Sequence, residues 1–233
     1  VQIFQHSFQG PGGWYIENSL TTLNKKDPVS EHNSILWNSG SDANKDIARK
    51  QKRKLQYIAN VYIVKDPANS DNDGTVKLFK FGKKIFDKLN EKMNPEFEDE
   101  TAVNPFDLWE GANFKLKIRK VEGYQNYDKS EFDASTPLSG DEDDLERIWK
   151  QEYNLSEFLD EKNFKSYDEL KARLNKVLGL EDGSAGDNYQ SAKSNVTSLA
   201  SVKPAPAPAK KTTVADSVDD DEDLSYFEKL AED

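Results

Sequence analysis

Short runs that alternate apolar and polar residues dominate the first 135 positions of the chain. The segments "WYIENSL", "LQYIANVYIV", "TVKLFKF" and "NFKLKIRKVEGY" are rich in β-branched and aromatic residues, and the opening "VQIFQHSF" has the same strand-like pattern. Between them, "PGG", "NSGSDAN" and "DPANSDNDG" carry the residues that favour turns. This pattern predicts a compact, mostly β domain over residues 1 to about 135.

One of these segments predicts a strand with two different faces. Apolar residues alternate with cations along "NFKLKIRKV": the apolar positions are Phe114, Leu116, Ile118 and Val121, and the cations are Lys115, Lys117 and Arg119. The alternation slips only near Lys120. We therefore expect a half-buried strand whose outer face is cationic.

A second kind of periodicity predicts helices. The segment Lys83–Met93 places Ile85, Phe86, Leu89 and Met93 on one side of a helix. Farther along, "LERIWKQEYNLSEFL" is amphipathic. The segment "SYDELKARLNKVLG" begins with a capping-box spacing, Ser166 to Glu169, and ends at Gly179. The chain is therefore predicted to be mainly β with helices, an α+β protein.

The composition changes from about Glu181, where Gly, Ser, Ala and Asn become frequent. The segment "SVKPAPAPAKK" is typical of a stiffened, extended linker, and residues 216–233 are strongly acidic. We divide the chain into a core (1–180), a flexible linker (181–215) and an acidic partner-binding tail (216–233). Apolar residues recur every third position in the tail, which favours a short amphipathic helix on contact with a partner. The tail residues selected for this contact are Asp219, Asp220, Asp221, Glu222, Asp223, Leu224, Phe227 and Leu230.

Charge is segregated along the chain, whose formal net charge is -11. Residues 141–147 contribute a net charge of -4 and residues 216–233 a net charge of -8, so the remainder is near neutral, at +1. Within that remainder, residues 45–54 hold six bases and one acid. The overall acidity therefore does not argue against an anionic ligand, because the local field of the basic run steers the ligand.

Several functional classes find no support in the composition. The chain has no Cys, which excludes disulfides and zinc sites built on thiolates, and it has no apolar run of about 18 residues that would span a membrane. His6 and His32 are the only histidines, too few for an ordinary zinc site. The segment "FKFGKKI" lacks the first glycine of a phosphate-binding loop. Acidic residues are abundant, so a metal-dependent nuclease stays open as an alternative, as does an acidic adaptor that binds proteins.

Cations and aromatic residues recur together in the predicted strands. A charge run alone is more often a solvated loop, and a single aromatic residue is more often part of a core. Here the combination repeats, and cations for phosphates with rings for bases are the components of a groove for single-stranded nucleic acid. The cations selected on this ground are Arg49, Lys50, Lys52, Arg53, Lys54, Lys80, Lys83, Lys84, Lys115 and Lys117.

The motifs "GGWYIE", "KRK" followed by "YIANVYIVKDPA", "FGKKIFDKLN", "WEGANFKLKI" and "GYQNYDKSEF" occur in one order from about His6 to Gly179. Together they closely resemble the single-stranded DNA-binding proteins of T-even-type bacteriophages, the gene 32 type. The acidic C-terminal tail resembles that family too. The resemblance implies an OB-fold core with a positively charged cleft for single-stranded DNA.

The resemblance also implies roles for single residues. A Lys-Arg-Lys cluster touches the DNA backbone in that family, and here it is Lys52, Arg53 and Lys54. Aromatic residues line the family's cleft; by motif match they are Trp14, Tyr15, Tyr57, Phe79, Tyr124 and Tyr127. Ile58 stands where the family pattern has Trp, so one stacking or packing surface is expected to be reduced.

Two departures from the family pattern carry expectations of their own. The better-known members hold zinc with one His and three Cys. Here His6 falls on the His position, but Ser19, Asp27 and Ser30 fall on the Cys positions. We therefore expect no cofactor, and a shortened zinc subdomain held by packing alone. The family's basic N-terminal arm, which drives cooperative binding, has no counterpart here. Because the chain begins at Val1 inside a strand-like pattern, we expect a truncated chain whose opening strands lie upstream.

The resemblance implies a binding protein of phage DNA replication, recombination and repair, and not an enzyme. It would coat single-stranded DNA in the cytoplasm of the infected bacterial host. Its acidic tail would recruit helicase, helicase loader, primase, polymerase or recombination mediator, and it would associate with itself along DNA if the N-terminal arm were present. No membrane partner is expected.

Overall fold

The structure is a computed structural model that describes residues 1–180 of the 233-residue chain. Within those residues the chain forms two compact units. The first unit comprises residues 1–3 and 55–159, and the second comprises residues 4–54 and 160–180. The predicted linker (181–215) and the predicted acidic tail (216–233) lie outside the described residues.

The described residues combine strands and helices. The strands are β1 (Gln2–Gly10), β2 (Gly13–Asn18), β3 (Lys54–Tyr62), β4 (Val76–Phe81), β5 (Ala112–Lys115), β6 (Arg119–Val121), β7 (Tyr124–Asn126) and β8 (Glu131–Ser135). The helices are α1 (Pro28–Asn38), α2 (Asp42–Gln51), α3 (Lys83–Met93), α4 (Glu142–Trp149) and α5 (Tyr167–Leu178). Short 3-10 turns lie at Leu20–Leu23, Ser70–Asn72, Leu155–Leu159 and Glu161–Asn163.

The strands form one larger sheet and two small ones. The larger sheet has the strand order β2-β1-β3-β4, and the small sheets pair β5 with β8 and β6 with β7. The larger sheet is a curled antiparallel half-barrel of the OB-like kind, accompanied by helices. The predicted α+β class is therefore confirmed.

The core of the first unit lies between β3, β4 and α3. The antiparallel register places Tyr57 opposite Phe81 and Ala59 opposite Phe79, so these four side chains share one face of the sheet. The helix α3 covers that face and has the bounds that the sequence pattern predicts. The buried cluster comprises Tyr57, Ala59, Phe81, Ile85 and Leu89.

The core of the second unit packs the β1–β2 hairpin against α5. Phe8 lies opposite Tyr15, and their rings stack with centroids 5.0 Å apart. The hairpin approaches α5 so closely that a Cβ at Gly12 would lie 2.0 Å from the carbonyl oxygen of Lys176. Gly12 also donates its N–H to the Val177 carbonyl at 2.8 Å. Glycine at this position allows the backbones to touch. Further buried members of this core are Leu20, Val29, Leu170, Leu174 and Leu178.

The helix signals near the end of the core are confirmed for α5. Ser166 and Glu169 form the predicted capping box, and Gly179 ends the helix in the left-handed conformation with φ 68°. The preceding amphipathic segment is divided more than its pattern predicts. The helix α4 stops at Trp149, and the turn Leu155–Leu159 follows separately.

Two helices of the second unit, α1 and α2, interrupt the region predicted to be mostly β. Asp27 caps α1, and Pro28 occupies the first helical position, where its missing N–H costs nothing. The buried residues of α1 are Pro28, Val29, Ser30, Asn33 and Leu36. The sequence pattern did not predict this helix because two of these five positions, Ser30 and Asn33, are polar, and the apolar positions alone do not repeat with a helical period.

The prediction of one continuous two-faced strand around residues 114–121 is wrong, because the strand is interrupted in its middle. β5 ends at Lys115, residues 116–118 lie outside any strand, and β6 begins at Arg119. Leu116 and Ile118 are 41% and 55% exposed instead of buried. The physical reason is a change of partner: β5 pairs with β8, whereas β6 pairs with β7.

Candidate nucleic-acid interface

The basic run spans the end of a helix and the start of a strand in the second unit. Arg49 and Lys50 lie in the last turn of α2, where cations interact favourably with the negative end of the helix dipole. Lys52 and Arg53 form the connection, and Lys54 opens β3. The last three residues are half-buried. The fold therefore concentrates five cations within six consecutive positions.

Two cations of α2 lie against an aromatic ring that sequence reasoning missed. The Arg49 guanidinium lies 5.3 Å from the centroid of the Trp37 ring, and the Lys45 ammonium lies 5.7 Å from it. Arg49 also pairs with Asp46 at 2.6 Å. These contacts restrict where the Arg49 charge can lie. In the sequence, Trp37 of "NSILWN" precedes Lys45 by eight residues and Arg49 by twelve. The ring and the cations come close only because the chain turns between α1 and α2.

Phe4 makes a close cation–π contact with a residue of the basic run. The Arg53 guanidinium lies 4.0 Å from the centroid of the Phe4 ring. The Phe4 backbone is itself held, because its N–H donates to Thr22 Oγ1 at 2.9 Å and its carbonyl accepts from Ser19 N at 2.8 Å. The ring is thus a fixed support for one guanidinium of the predicted phosphate-binding cluster.

In the first unit, Tyr57 belongs to the core. Its side chain is 8% exposed, and its ring stacks on Phe86 with centroids 4.1 Å apart and on Phe81 with centroids 5.6 Å apart. The contacts in this conformation are packing contacts, worth about 0.5–1.5 kcal/mol per aromatic pair beyond area burial. Stacking of Tyr57 on a base stays a prediction, and it requires the ring to leave this arrangement.

Two more predicted aromatic residues pack around the same cluster. Phe79 and Tyr127 are half-buried against it, and Phe79 stacks on Phe81 with centroids 5.3 Å apart. The Tyr127 hydroxyl donates to Gln125 Oε1 at 3.2 Å. The fold thus brings together three of the predicted rings, which lie far apart in the sequence.

Tyr124 occupies a different environment. It begins β7 directly after the two-residue turn of the β6–β7 hairpin, formed by Glu122 and Gly123 with φ 52° and 89°. Positive φ at both positions is typical of a tight type I′ hairpin turn. The Tyr124 side chain is 45% exposed and can reach a ligand without rearrangement of the core.

Trp14 and Tyr15 are adjacent on β2 but have opposite surroundings. Trp14 is 48% exposed, whereas Tyr15 is 1% exposed and stacks on Phe8. Burial raises the pKa of the Tyr15 hydroxyl, and the nearby Asp27 and Glu17 carboxylates raise it further. Of the two, only Trp14 presents a ring to solvent in this structure.

The cations of the β5–β8 region are paired with carboxylates. Lys115 Nζ lies 2.5 Å from Asp133 Oδ1, and Lys117 Nζ lies 2.6 Å from Glu131 Oε1. In consequence the pKa of Lys115 is raised and the pKa of Glu131 is lowered, in each case chiefly by the hydrogen bond of the pair. A phosphate reaching either lysine has to compete with an existing anion.

The remaining predicted cations lie on β4 and at the start of α3. Lys83 pairs with Asp87 one turn later at 3.2 Å. Lys84 is half-buried in the same turn. Partial burial lowers the pKa of Lys80. None of these features prevents contact with a phosphate, and their role in DNA binding stays a prediction.

The four positions that the resemblance predicts to match the family's zinc ligands are buried together in the second unit. Asp27 lies at their centre: its Oδ2 accepts from Ser19 Oγ at 2.9 Å, and its Oδ1 accepts from Ser30 N at 3.0 Å. His6 Nε2 lies 3.2 Å from Asp27 Oδ1. The expectation that packing alone holds this region is therefore wrong, because a buried carboxylate organises it.

A family model described as "gp32 DNA binding protein like" matches residues 1–178. The chain belongs to this family. Two curated relatives of this gp32-like chain are the single-stranded DNA-binding proteins of Enterobacteria phage T2 and Enterobacteria phage T4. Each is 39% identical over 184 residues, which make up 76% of this chain and 60% of the relative. The chain thus spans about three-fifths of the length of these relatives.

Two kinds of feature are absent from the described gp32-like residues. Within residues 1–180, no group of three or more His, Asp or Glu side chains is arranged to hold a metal ion. Among the helices of the same residues, none has both the length and the apolar character needed to cross a lipid bilayer.

Proposed function

We propose that this chain is a non-catalytic, sequence-independent single-stranded DNA-binding protein. It coats transient single strands during phage replication, recombination and repair, inside the infected bacterial host. The observation that carries the proposal is the half-buried run Lys52, Arg53 and Lys54, with Arg53 supported by Phe4, in a chain of the gp32-like family. The T2 and T4 relatives bear the name of this activity.

The chemistry of binding follows from the residue types. Cations of the second unit contact phosphates and release the counterions that surround DNA, a gain that falls as salt rises. Exposed rings such as Trp14 and Tyr124 stack on bases, with about 1–3 kcal/mol per stacked base and little preference among the four bases. No base-specific hydrogen bond is required, which fits a protein that covers any sequence.

Titration of a labelled oligothymidylate with the full chain, over a series of salt concentrations, tests this proposal. We expect the logarithm of the affinity to fall steeply and linearly with the logarithm of the salt concentration, and we expect Tyr and Trp fluorescence to be quenched. An affinity that does not respond to salt contradicts the proposal and favours the protein-binding adaptor. Cleavage of the oligonucleotide in the presence of Mg²⁺, abolished by single Asp or Glu substitutions, favours the nuclease.

Phe4→Leu is expected to weaken oligonucleotide binding about threefold. Leucine keeps an apolar side chain in the strand but removes the ring face that supports the Arg53 guanidinium, an interaction of roughly 0.5–1 kcal/mol. Phe4→Tyr keeps a ring and should restore the affinity. The measurement is the dissociation constant of each variant for the same oligonucleotide.

A double-mutant cycle separates this effect from general destabilisation. In the Arg53→Ala background, Phe4→Leu should change the affinity by less than the error, because no guanidinium is left to position. An equal decrease in both backgrounds shows that Phe4 acts only through the fold.

Removing the Lys117–Glu131 ion pair as a unit is expected to leave the affinity within about twofold of the unchanged chain. The variant Lys117→Gln/Glu131→Gln keeps the net charge and side-chain size, so only the pair itself is removed. Because Glu131 already compensates the charge of Lys117, we expect Lys117 to release few counterions from the DNA. The slope of the logarithm of the affinity against the logarithm of the salt concentration is the salt slope. If its magnitude falls by about 0.7 in this variant, Lys117 contacts a phosphate, as the sequence pattern predicts.

We further propose that the acidic tail has two alternative partners. Its net charge of -8 and its attachment through "KPAPAPAKK" suit it to compete with DNA for the cations of its own chain. When DNA displaces it, the tail is available to helicase, helicase loader, primase, polymerase or recombination mediator. We propose self-association along DNA only for chains that carry the family's basic N-terminal arm.

Deleting the residues after Lys211 is expected to tighten oligonucleotide binding at low salt, because the competing acid is removed. The difference from the full chain should shrink as salt rises and screens both interactions. The same affinity with and without the tail at low salt contradicts competition, and leaves partner recruitment as the tail's only proposed role.

A further inference from the structure

The residues at the family's zinc-ligand positions do not fit a zinc ion. Protein zinc sites use Cys sulfur, His nitrogen or carboxylate oxygen, almost always four of them in structural sites. Only His6 and Asp27 qualify here, while Ser19 and Ser30 contribute hydroxyl groups. The four side chains are between 0% and 6% exposed, so solvent has little access to complete the set.

Both oxygens of the Asp27 carboxylate already have partners. Oδ1 accepts from the backbone N–H groups of Val29 and Ser30, each at 3.0 Å. Oδ2 accepts from Ser19 Oγ at 2.9 Å and from Leu20 N at 3.0 Å. Asp27 therefore caps α1 and binds the start of the Leu20–Leu23 turn. A metal ion would have to displace these donors to gain a ligand.

His6 lies between a backbone carbonyl and the Asp27 carboxylate. Its Nδ1 lies 2.9 Å from the Gln51 carbonyl oxygen, which only accepts, so Nδ1 carries a hydrogen. Its Nε2 faces Asp27 Oδ1 at 3.2 Å, and a carboxylate also only accepts. His6 thus links the last residue of α2 to the buried Asp27 carboxylate.

The Asp27 carboxylate has the character of a strong acceptor. Burial works to raise its pKa, but the contact with His6 and the hydrogen bonds from Ser30 and Ser19 outweigh burial and lower that pKa to about 2. The His6 ring lies against this buried carboxylate, with its Nε2 3.2 Å from Asp27 Oδ1. The contacts join β1, the Leu20–Leu23 turn, α1 and the last residue of α2.

We infer that the His6–Asp27 pair, with Ser19 and the backbone donors, takes the place of the zinc ion and makes the second unit independent of metal. One anion at the centre of several donors replaces one cation at the centre of several anionic ligands. The charges are exchanged between centre and periphery, and the carboxylate joins the segments that carry the four positions. This inference concerns the fold of the chain and stands whether or not the chain binds DNA.

Metal content and chelator resistance of the full chain give the first test. Protein purified without chelator should contain less than about 0.1 zinc per chain, and EDTA should shift the melting temperature by less than about 1 °C. Stoichiometric zinc, or a melting temperature that EDTA lowers and zinc restores, overturns the inference.

Placing cysteines at the three positions gives the second test. The variant Ser19→Cys/Asp27→Cys/Ser30→Cys combines His6 with three thiolates, and it should bind one Co²⁺ with the absorption bands of a tetrahedral thiolate site. Zinc should raise its melting temperature, or restore its fold if the metal-free variant is unfolded. The control carries Cys at exposed Ser41, Ser70 and Ser135 and should show no such bands.

The outcomes of the second test are distinct. If the absorption bands of tetrahedral Co²⁺ appear in the Ser19→Cys/Asp27→Cys/Ser30→Cys variant and not in the control, the inference is supported. The Asp27 carboxylate then occupies the centre at which a metal ion binds once the ligands are thiolates. If the first variant binds no Co²⁺ and zinc does not stabilise it, the three positions do not converge on one centre and the inference fails. Binding of Co²⁺ by the unchanged chain also overturns it.

Discussion

Replacing Lys52, Arg53 and Lys54 together by alanine is expected to weaken oligonucleotide binding about 100-fold at low salt. The salt slope should also fall by about 2, since each phosphate that a cation neutralises on single-stranded DNA accounts for roughly 0.7 of that slope. The expectation rests on position as well as charge. These residues are half-buried where α2 gives way to β3, so they are held in one place. The measurement is the dissociation constant over a salt series.

A charge-matched variant controls for the change in net charge. Lys26, Lys65 and Lys129 are exposed lysines at separate places, and their replacement by alanine lowers the net charge by the same amount. We expect the affinity of this variant to fall less than about threefold, with little change in slope. If the two variants lose the same affinity and show the same salt dependence, the loss comes from the overall electrostatic field of the protein. The Lys-Arg-Lys run then does not bind phosphates at defined positions.

Asp27→Asn is expected to lower the free energy of unfolding by about 3 kcal/mol, and the melting temperature by roughly 10 °C. The amide keeps one acceptor oxygen but presents an N–H₂ group to donors such as Ser19 Oγ and Leu20 N. It also removes the negative charge that lies 3.2 Å from His6 Nε2. Urea and thermal unfolding followed by circular dichroism measure the change.

Asp141→Asn is the matched control for this destabilisation. Asp141 is also a helix N-cap, since its Oδ1 accepts from Asp143 N at 2.9 Å at the start of α4, but its side chain is exposed. Asparagine and aspartate cap helices about equally well, so we expect a change below about 0.5 kcal/mol. An Asp27→Asn variant as stable as this control would show that the buried network contributes little.

Local signals in the sequence were sufficient for several elements. The bounds of α3 and the cap residues of α5 follow from side chains within four positions of one another. The strands β1 to β4 follow from alternation over six to nine residues. α1 escaped prediction because part of its buried side is polar: Asn33 is fully buried, so apolar spacing alone does not reveal the helix.

The sequence identifies the residue types of the candidate site but not the surroundings of each side chain. Alternation shows that Trp14 and Tyr15 lie on opposite faces of β2. Only the tertiary structure decides which face α5 covers, and it buries Tyr15. The same holds for Tyr57, which becomes a core residue because Phe86 of α3 stacks on it.

Ion pairing shows most clearly which properties can be predicted from the sequence and which require the tertiary structure. The sequence determined a basic run within ten residues and a row of cations along one segment. Only the tertiary structure decided that Lys115 and Lys117 meet carboxylates 18 and 14 positions away. The reason is that periodicity and capping depend on near neighbours, whereas burial and ion pairing depend on partners that strand register and helix packing bring within a few ångströms.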